Sequence, residues 1–537
     1  MIQSVTLLSE NIKITVDSAI KYNKFIIDCQ SVINKSSFFT IQIDFTDPVK
    51  LIRNHNYTWT DANCDFIANE FSPKIIKLSN GFFVQPNLQI GVWEFEKKNP
   101  SRLLWKFNPL NSKPLTFYTG NSNEKIIAQA NSQINFIETP ALLFSNKKPI
   151  EFSRSKIPFS AIACFTDHCD FDTLENLQLQ RVFFKEKAIK VTKGFFLNHF
   201  SKREDNASYE NQKNEIDLWK NDLHELCYHS LSQSIKSDDD SFSDFENFEP
   251  PYLDIPTWID HGYQPYNFSL YKNFNKEDAY FESVLIKKNI TILWNYIDCG
   301  TATRGVINQL NGSHFTLSSF LKGNKNLSFI KRMQLMIKNI IFHYYATQDI
   351  ILKYKSLAQN FKNIIYKKQI MLVFKLVSNF ISISKPILAV FLGWNKHKNT
   401  PFKYAKYSPI FFKHRIAEKE FYIFQTLEMV DFKKSLSKEN IDLLLQEKGL
   451  FIAHTYFSVP MNYHQGKMFA TTSKIDQEVA ANFNYLSENI KNNNIWNPTI
   501  SELIGYMKNF ENSILDINPE GTILVKSSAN LLFRTVD

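Results

Sequence analysis

Residues 165–172 read FTDHCDFD, and they follow an apolar run at 157–164 that predicts a buried β-strand. Residues 173–187, which come next, have the pattern of an α-helix. A strand that leads into a helix is the repeating unit of a parallel sheet, and α/β barrels build their active sites at the C-terminal ends of such strands. Because this strand end carries several acids and a histidine, it is a candidate for ligand and proton-transfer chemistry.

The alternation of strand and helix continues along the chain from about residue 151. Further strands are predicted at 188–197, 223–230, 252–259, 289–297, 449–456 and 522–525, and a closing helix at 499–511. An acidic, serine-rich segment at 234–251 is expected to be a mobile, solvated linker. The predicted fold class is therefore α/β, with a parallel sheet or barrel.

Composition divides the 537 residues into further parts, because a chain of this length is long enough for several domains. Residues 1–150 carry short alternating apolar runs separated by Asn, Pro, Gly and Ser, which predict an all-β, sandwich-like accessory domain. Residues 306–445 are basic, aromatic and mostly helical in pattern. They form a predicted insertion between the first part of a barrel, at 151–305, and its last part, at 446–537.

Charge is distributed unevenly along the chain. The net charge is +9, but residues 322–415 contain eighteen Lys or Arg and one acid, so this segment carries about +17 and the rest about −8. Lysines interleaved with apolar and aromatic side chains fit a membrane-surface element, a solvated helical insertion or a nucleic-acid groove. The membrane-surface element and the solvated insertion are favoured equally, and both are favoured over the nucleic-acid groove. No nucleic-acid partner is therefore expected.

Several features bear on location. The N-terminal residues lack a basic stretch followed by an apolar one, so no secretory signal is expected. The apolar runs at 376–384 and 386–395 are each shorter than a membrane-spanning helix requires. The six cysteines match neither a disulfide framework nor a zinc-finger spacing, which disfavours a thiolate zinc site. The expected location is the cytoplasm, with peripheral contact at the inner face of the membrane through 322–415.

Three predicted strand ends carry histidine: Asp167-His168, His229-Ser230 and His454. A single histidine at a strand end is more often structural than functional. In a closed barrel, however, the C-terminal ends of the strands converge on one face, so the three positions together indicate a site.

The order and spacing of these motifs resemble the polysaccharide deacetylases, the family with the chitooligosaccharide-deacetylase homology domain. The family's first motif, T-F-D-D-G, is similar to FTDHC at 165–169, and its second, H-S/T-x-x-H, is similar to HSLSQ at 229–233 within LHELCYHSLSQ. Its last motif, an apolar strand that ends in L-H, is similar to FIAH at 451–454, and WNPTISEL at 496–503 is similar to its closing helix. The resemblance covers roughly 155–305 and 445–530. It implies a distorted (β/α)7 barrel and a divalent metal ion, commonly zinc.

Residue roles follow from the same resemblance. By position, Asp167 corresponds to the catalytic base, His229 to a metal ligand and His454 to the general acid. His168 stands where the family has a metal-binding Asp, and imidazole is a good zinc ligand. Gln233 stands where the family has its second metal-binding histidine, and glutamine is a poor zinc ligand. Compensating ligands are therefore expected among Asp170, Asp172 and the pair Asp260-His261.

Two further features concern the substrate. Asp260 and His261 lie where the family places its substrate-side motif. Trp294, on the strand at 289–297, is a candidate apolar wall for an acetyl methyl group, and packing inside the barrel is an equal alternative.

The expected activity is metal-dependent hydrolysis of an N-acetyl amide on an amino sugar or polysaccharide intermediate of surface-polysaccharide synthesis. The nucleophile would be metal-bound water, with Asp167 taking its proton and His454 protonating the departing amine. The expected partner is a carbohydrate substrate, and a lipid-linked sugar would fit the basic segment. The alternatives are a non-catalytic deacetylase-like barrel that binds glycan or a membrane surface, and a hydrolase of a different bond.

Overall fold

The computed structural model describes residues 2–536 with the exception of 11, 17–19, 34–35, 110–111, 120–123, 263–275, 346, 459–466 and 472. In residues 2–152 all regular elements but one short helix are strands. They comprise β1 (Ile2–Ser9), β2 (Ile12–Thr15), β3 (Ile20–Lys21), β4 (Lys24–Ile26), α1 (Gln30–Ile33), β5 (Phe39–Phe45), β6 (Val49–Arg53), β7 (Trp59–Asp61), β8 (Phe66–Ala68), β9 (Ile76–Leu78), β10 (Phe83–Pro86), β11 (Val92–Phe95), β12 (Arg102–Phe107), β13 (Pro114–Thr119), β14 (Glu124–Gln129), β15 (Ala141–Ser145) and β16 (Ile150–Phe152).

Two antiparallel sheets in this region share one apolar core. Their strand orders are β2-β1-β5-β12-β11-β8 and β3-β4-β15-β10-β9-β6-β7. In β5 the alternate residues Phe39, Ile41, Ile43 and Phe45 are buried, as expected for a strand with one face toward a core. Phe45 meets Phe144 of the opposite sheet at a ring-centroid distance of 6.5 Å. The two sheets therefore pack face to face as in a sandwich.

The rest of the chain alternates strand and helix around a long helical interruption. The first segment contains β17 (Ala161–Asp167), α2 (Leu174–Lys187), β18 (Thr192–Phe195), α3 (Tyr209–Asn221), β19 (Glu225–His229), α4 (Asp238–Asn247), β20 (Thr257–Ile259), α5 (Asp278–Lys287) and β21 (Ile292–Trp294). The interruption contains α6 (Leu317–Gly323), α7 (Phe329–Asn339), α8 (Gln348–Lys367), α9 (Val373–Leu392) and α10 (Trp394–His397). The last segment contains β22 (Phe411–Ile416), β23 (Lys419–Phe424), β24 (Leu427–Glu428), α11 (Phe432–Ser435), α12 (Lys438–Gln446), β25 (Leu450–Thr455), β26 (Phe469–Thr471), β27 (Lys474–Ile475), α13 (Gln477–Lys491), β28 (Ile495–Trp496), α14 (Ile500–Met507), β29 (Ile514–Ile517), β30 (Ile523–Ser527) and β31 (Phe533–Thr535).

A parallel sheet organises these two segments. Its pairings run β17-β18-β19-β20-β21-β23 in one direction from β17 and β17-β25-β24 in the other, with β28 also beside β17 and β22 as an antiparallel edge. Only Gln425 and Thr426 separate β23, which pairs with β21, from β24, which pairs with β25. The sheet is therefore curled, so that one stretch of chain joins its two ends. The distorted (β/α)7 barrel of the deacetylase type stays a prediction.

The faces of the parallel sheet have different partners. Ile162 and Cys164 pack with Cys227 and Ile452 in the inner core, whereas Ala163 and Phe165 contact the helices that surround the sheet. Because successive side chains of a strand point to opposite faces, this alternation decides which functional groups point inward.

The acidic segment predicted as a mobile linker at 234–251 is instead largely helical. Helix α4 begins after Ser237, whose hydroxyl accepts a hydrogen bond from the Asp240 amide at 3.2 Å. Three aspartates occupy the first turn, where carboxylates interact favourably with the helix dipole. The acids that suggested a solvated linker therefore also provide an N-terminal helix signal.

The region predicted as helical up to about residue 430 also differs. Helices end at α10, and β22, β23 and β24 belong to the parallel sheet. The apolar run at 376–384 and most of the run at 386–395 form the single helix α9, which continues across Lys385 and Pro386. Among the described residues, α9 is the helix long and apolar enough to cross a membrane by length and composition, with mean hydropathy 1.4 and 17% of that window buried.

The C-terminal residues return to the N-terminal sheets. The strand predicted at 522–525 as the last barrel strand is β30, and it pairs with β29 in an antiparallel hairpin rather than with the parallel sheet. Strand β31 pairs with β16, and Arg534 and Arg53 both bind the buried carboxylate of Glu151. The end of the chain therefore ties the two parts of the molecule together.

Candidate functional site

Three histidines from distant parts of the sequence converge on the inner face at the C-terminal end of the parallel sheet. His229 ends β19, His454 lies in β25, and His168 follows β17 directly. The His168 ring lies with its centroid 4.1 Å from that of His454 and 4.8 Å from that of His229. The structure therefore brings together the three strand-end histidines that the sequence singled out.

His168 is held in place by its backbone, while its ring is left without polar contacts. Its amide donates to the Thr455 carbonyl at 2.9 Å, and the residue is 2% exposed. Neither ring nitrogen has a hydrogen-bond partner among the residues that the structure describes. Burial, with the nearby His454 and His229, lowers the pKa of His168 well below its usual range. The ring is therefore a neutral imidazole with a lone pair available for a ligand.

A carboxylate bridges two of the site histidines. Asp170 lies with Oδ2 3.0 Å from Nε2 of His229 and with Oδ1 2.7 Å from Nε2 of His261. Burial raises the pKa of Asp170, but His261 and His229 outweigh that effect and hold it well below its usual range. Asp170 is therefore an anion at neutral pH.

The hydrogen bonds of His229 define what its second nitrogen can do. Nδ1 lies 3.2 Å from the carbonyl oxygen of Ile259, which can only accept a hydrogen bond, so Nδ1 carries the proton. Burial lowers the pKa of His229 despite the charge of Asp170. Nε2 lies against the Asp170 carboxylate and donates a hydrogen bond to it when this nitrogen carries a proton. A divalent cation in place of that proton would be bound by both side chains.

The loop that carries Asp170 is fixed from both sides. Helix α2 begins after Thr173, whose hydroxyl accepts a hydrogen bond from the Asn176 amide at 3.3 Å. Gln233 and Arg203 both donate to the carbonyl oxygen of Asp170. Gln233, which stands at the position of an expected metal-binding histidine, therefore contacts the backbone of a candidate ligand.

His454 forms a dyad with Asp298, a residue that the sequence analysis did not single out. Its Nδ1 lies 3.1 Å from Asp298 Oδ2, and its Nε2 has no partner within the described part of the chain. Burial lowers the pKa of His454, but the charge of Asp298 outweighs it and the net shift is upward. Asp298 also accepts a hydrogen bond from Thr426 at 2.7 Å. Asp298 thus makes Nε2 of His454 more basic, so that this nitrogen can accept a proton and then donate it.

Asp167, predicted as the catalytic base, does not face the histidines. It shares the outer face with Phe165, and its carboxylate forms a buried ion pair with Lys193 of β18. Lys193 also binds Asp172 at 2.5 Å, and Asp172 accepts further hydrogen bonds from Gln180 and Ser458. Burial raises the pKa of Asp167 to about 6 against the charge of Lys193. Asp172, a candidate compensating ligand, is thus also in the layer between the sheet and the helices.

The Lys193 cluster predicts a strong effect on stability. A Lys193→Met variant leaves the carboxylates of Asp167 and Asp172 buried without their cation, and we expect the free energy of unfolding to fall by about 3 kcal/mol. Urea denaturation of the variant and the unmodified protein measures the difference. In a control variant, Lys213→Met, the lost ion pair with Asp217 is exposed and stability should remain nearly unchanged. Equal stability of the two variants would contradict this account of the cluster.

Asp260 and His261, the neighbouring residues predicted to contact the substrate, lie on opposite faces of the sheet. His261 reaches the site through Asp170, and its amide donates to the Ser230 hydroxyl at 2.9 Å. Asp260 lies on the opposite face and accepts a hydrogen bond from the Trp258 indole at 2.9 Å. His261 therefore lies at the site, whereas its neighbour Asp260 lies on the other face of the sheet.

Aromatic rings form one wall of the site. Trp294 lies with its ring 4.6 Å from His168 and 4.9 Å from His454, and its indole donates to Thr426. Tyr296 and Tyr456 extend this wall. Together with His454 they border a cavity of about 530 Å³. The wall is apolar enough for a small methyl group or the face of a sugar ring.

A divalent ion has a matching donor set here. One donor atom each from His168, Asp170 and His229 lies within 4.8 Å of the other two. Two donors on one tetrahedral zinc ion lie about 3.4 Å apart, so binding requires the widest pair of donor atoms to close by up to about 1.4 Å. Asp170 offers a carboxylate donor, whereas Gln233 offers only an amide. By contrast, burial raises the pKa values of Cys164, Cys169 and Cys227 well above the usual range, which disfavours a thiolate site.

Two functional positions had weak sequence signals. Asp298 lies shortly after β21, and an acid beyond a predicted strand end is the signal that could have found it. Lys193 lies inside the strand Thr192–Phe195, where a lysine that becomes buried needs a partner of opposite charge.

Comparisons with known proteins add little to this geometry. No protein-family model and no curated protein matches the chain. It is similar to solved structures of a GH31 dextranase from Flavobacterium johnsoniae, one complexed with glucose and one, of a mutant, complexed with isomaltotriose. In both cases the identity is 8%, the TM-score is 0.22, and the match covers 55% of this chain. The chain spans 39% of the length of those structures, and a likeness at this TM-score supports no statement about function.

Proposed function

We propose that this protein is a metal-dependent hydrolase that removes an N-acetyl group from an amino sugar or polysaccharide intermediate. The observation that carries the proposal is the ring of His168, buried and without a hydrogen-bond partner among the described residues, between His229 and His454. A buried polar ring without partners is costly unless a ligand satisfies it. The deacetylase-type barrel belongs to the same proposal, because the curled parallel sheet is compatible with it.

The proposed metal ligands are His168, Asp170 and His229. A bound divalent ion, with zinc as the expected one, polarises a carbonyl and lowers the pKa of water to about 7. His261 holds the second oxygen of Asp170, and the Ile259 carbonyl orients His229 through its Nδ1 proton. Such outer contacts orient metal ligands in proteins.

The proposed proton carrier is His454 rather than Asp167, because Asp167 is bound to Lys193 on the other face of the sheet. His454 Nε2 takes the proton of the attacking water as its oxygen forms the new bond to the amide carbon. The same nitrogen then delivers the proton to the amide nitrogen as the C–N bond breaks, so that acetate and an amine leave. Asp298 stabilises the charged imidazole between the two transfers.

The cavity suits a sugar that carries an acetyl group. Its volume of about 530 Å³ is in the range of small-molecule sites. Trp294 provides an apolar surface beside His168 and His454, where the acetyl methyl can lie.

Acetate release together with metal content tests the proposal. We expect the purified protein to hold about one divalent ion per chain and to release acetate from N-acetylated amino sugars, and both should be lost in a His229→Ala variant. Chelation should abolish activity, and added zinc should restore it. The matched substrate control is the same sugar carrying an O-acetyl ester.

Two other outcomes favour the alternatives. A chain without stoichiometric metal that still binds sugar after the His229→Ala change favours a non-catalytic glycan-binding protein. Metal-dependent cleavage of the ester but not the amide favours a hydrolase of a different bond. Either result overturns the proposed activity.

A further inference from the structure

The cavity beside His454 extends away from the sheet to the helical insertion, which we define as residues 317–397. Trp294, Asp298 and His454 line its inner end. Leu335 of α7 and Ile351 of α8 line the other. The walls of the cavity therefore come from both parts of the fold.

Charge changes along the cavity. Asp298 and Glu428 lie near His454 at the inner end, whereas Lys331, Lys338 and Lys355 line the part formed by the insertion. Asp431 and Lys434, which also line the cavity, form an ion pair with each other. Acidic groups suit sugar hydroxyls and an amine product, and several lysines together suit a phosphate. Apolar residues stand among these lysines, namely Leu327, Leu335, Phe342 and Ile351. The lining therefore suits a ligand that combines a sugar, an anionic group and an apolar chain.

Helix α9 exposes an apolar face on the same insertion. Its inner side packs on the cavity wall, because Ile383 forms one buried cluster with Ile341 and Ile351. Its outer side carries five apolar residues at helical spacing, with Phe374 87% and Leu392 89% exposed. The other exposed residues of this face are Val377, Ile381 and Leu388.

We propose that the outer face of α9 docks on an anionic lipid bilayer, and that the substrate is an amino sugar linked through phosphate to a membrane lipid. Charge complementarity selects the bilayer as the occupant, because residues 322–415 carry about +17. Exposed Lys375 and Lys385 border the apolar face, as in helices that lie in a membrane interface. The substrate half of this inference rests on the proposed function, whereas the docking half does not.

The helix lies on the membrane in this proposal and does not cross it. Ile383 and Val390 are buried against protein, so α9 presents only one side to lipid. A helix that crosses a bilayer alone would expose its whole circumference to lipid.

Vesicle flotation of the full chain tests the docking. We expect the protein to float with vesicles that contain phosphatidylglycerol and much less with vesicles of phosphatidylcholine, and raised salt should weaken binding. A Phe374→Asp/Leu392→Asp variant should bind at least about tenfold more weakly, since it places two charges on the apolar face. The control is Leu253→Asp, a change at a residue 73% exposed outside the insertion, which should bind as the unmodified protein does.

A second variant guards against misfolding. Lys375→Glu/Lys385→Glu changes only exposed residues and should also lower binding to the anionic vesicles by at least about tenfold. Equal binding by both variants and the unmodified protein overturns the docking, as does equal binding to the two kinds of vesicle. Protein that resists extraction with alkaline carbonate overturns it in favour of a spanning helix. Self-association through α9 in place of lipid binding, measured by sedimentation velocity, overturns it too.

The substrate class has its own test. A Lys338→Glu variant should lower the ratio of kcat/KM for a lipid-phosphate-linked N-acetyl sugar to that for the unphosphorylated sugar by about tenfold. An unchanged ratio overturns the phosphate assignment while amide hydrolysis stands. If neither sugar is hydrolysed, the substrate half falls with the proposed function, and vesicle binding still decides the docking half.

Discussion

A His168→Ala variant is expected to lose its bound divalent ion and at least about 10⁴-fold in kcat/KM for release of acetate. The reason is the position of the ring, which lies between His229 and His454 with both nitrogens free of hydrogen bonds within the described residues. Removing it leaves Asp170 and His229 as the remaining pair of ligands, and two ligands hold zinc poorly. Metal analysis after dialysis and steady-state kinetics measure the two effects.

The controls for this prediction use other side chains at matched positions. His224→Ala also removes a buried histidine, but one whose Nδ1 accepts from the Val191 amide away from the site, so the metal should remain. His168→Asp places a carboxylate where the resembled family has one, and it should retain part of the bound metal. Full activity of His168→Ala with unchanged metal content would contradict the ligand assignment.

A His454→Ala variant is expected to keep its metal and lose about 10²- to 10⁴-fold in kcat/KM. His454 is not needed to hold the ion in the proposed site, but its Nε2 is the group that would carry the proton from water to the departing amine. An unchanged metal content would distinguish this loss of proton transfer from the loss of metal expected in His168→Ala. Inductively coupled plasma analysis and acetate release on the same protein sample measure both quantities.

Asp298 allows a graded control for the same step. Asp298→Asn keeps a partner for His454 Nδ1 but removes the negative charge that raises its pKa. Its effect on kcat/KM should be smaller than that of His454→Ala. Asp167→Asn should not reproduce the defect in proton transfer, because Asp167 lies on the other face beside Lys193. A larger loss for Asp167→Asn than for His454→Ala, in folded protein, would restore Asp167 as the base.

Local sequence patterns predicted much of what positions the site. The apolar run before Asp167 indicated the strand Ala161–Asp167, and the segment after it indicated the helix Leu174–Lys187. The strand that carries His454 was indicated at 449–456 and is found at Leu450–Thr455. These elements have strong local signals, because apolar runs and helix caps act over a few residues.

Elements whose partners are distant in sequence were harder to predict. Strands β22 to β24 follow a long basic insertion, and the helical pattern of that insertion obscured the Phe and Ile alternation in β23. Helix α4 was missed for a different reason. The acids in its first turn stabilise the helix, but a run of acids is also typical of a solvated linker. In both cases the competing pattern was stronger locally than the correct one.

Local patterns in the chain were enough to predict that histidines and acids would gather at the C-terminal ends of parallel strands. Which of the neighbours Asp167 and His168 faces inward depends on contacts between residues that are distant in the chain. Strand β17 is buried on both sides, so its apolar run has no polar alternation to mark the inner face. Lys193 on the adjacent strand binds Asp167 on the outer face, and the two-residue period of the strand then turns His168 toward His229 and His454. A contact between distant residues thus selected the candidate metal ligand.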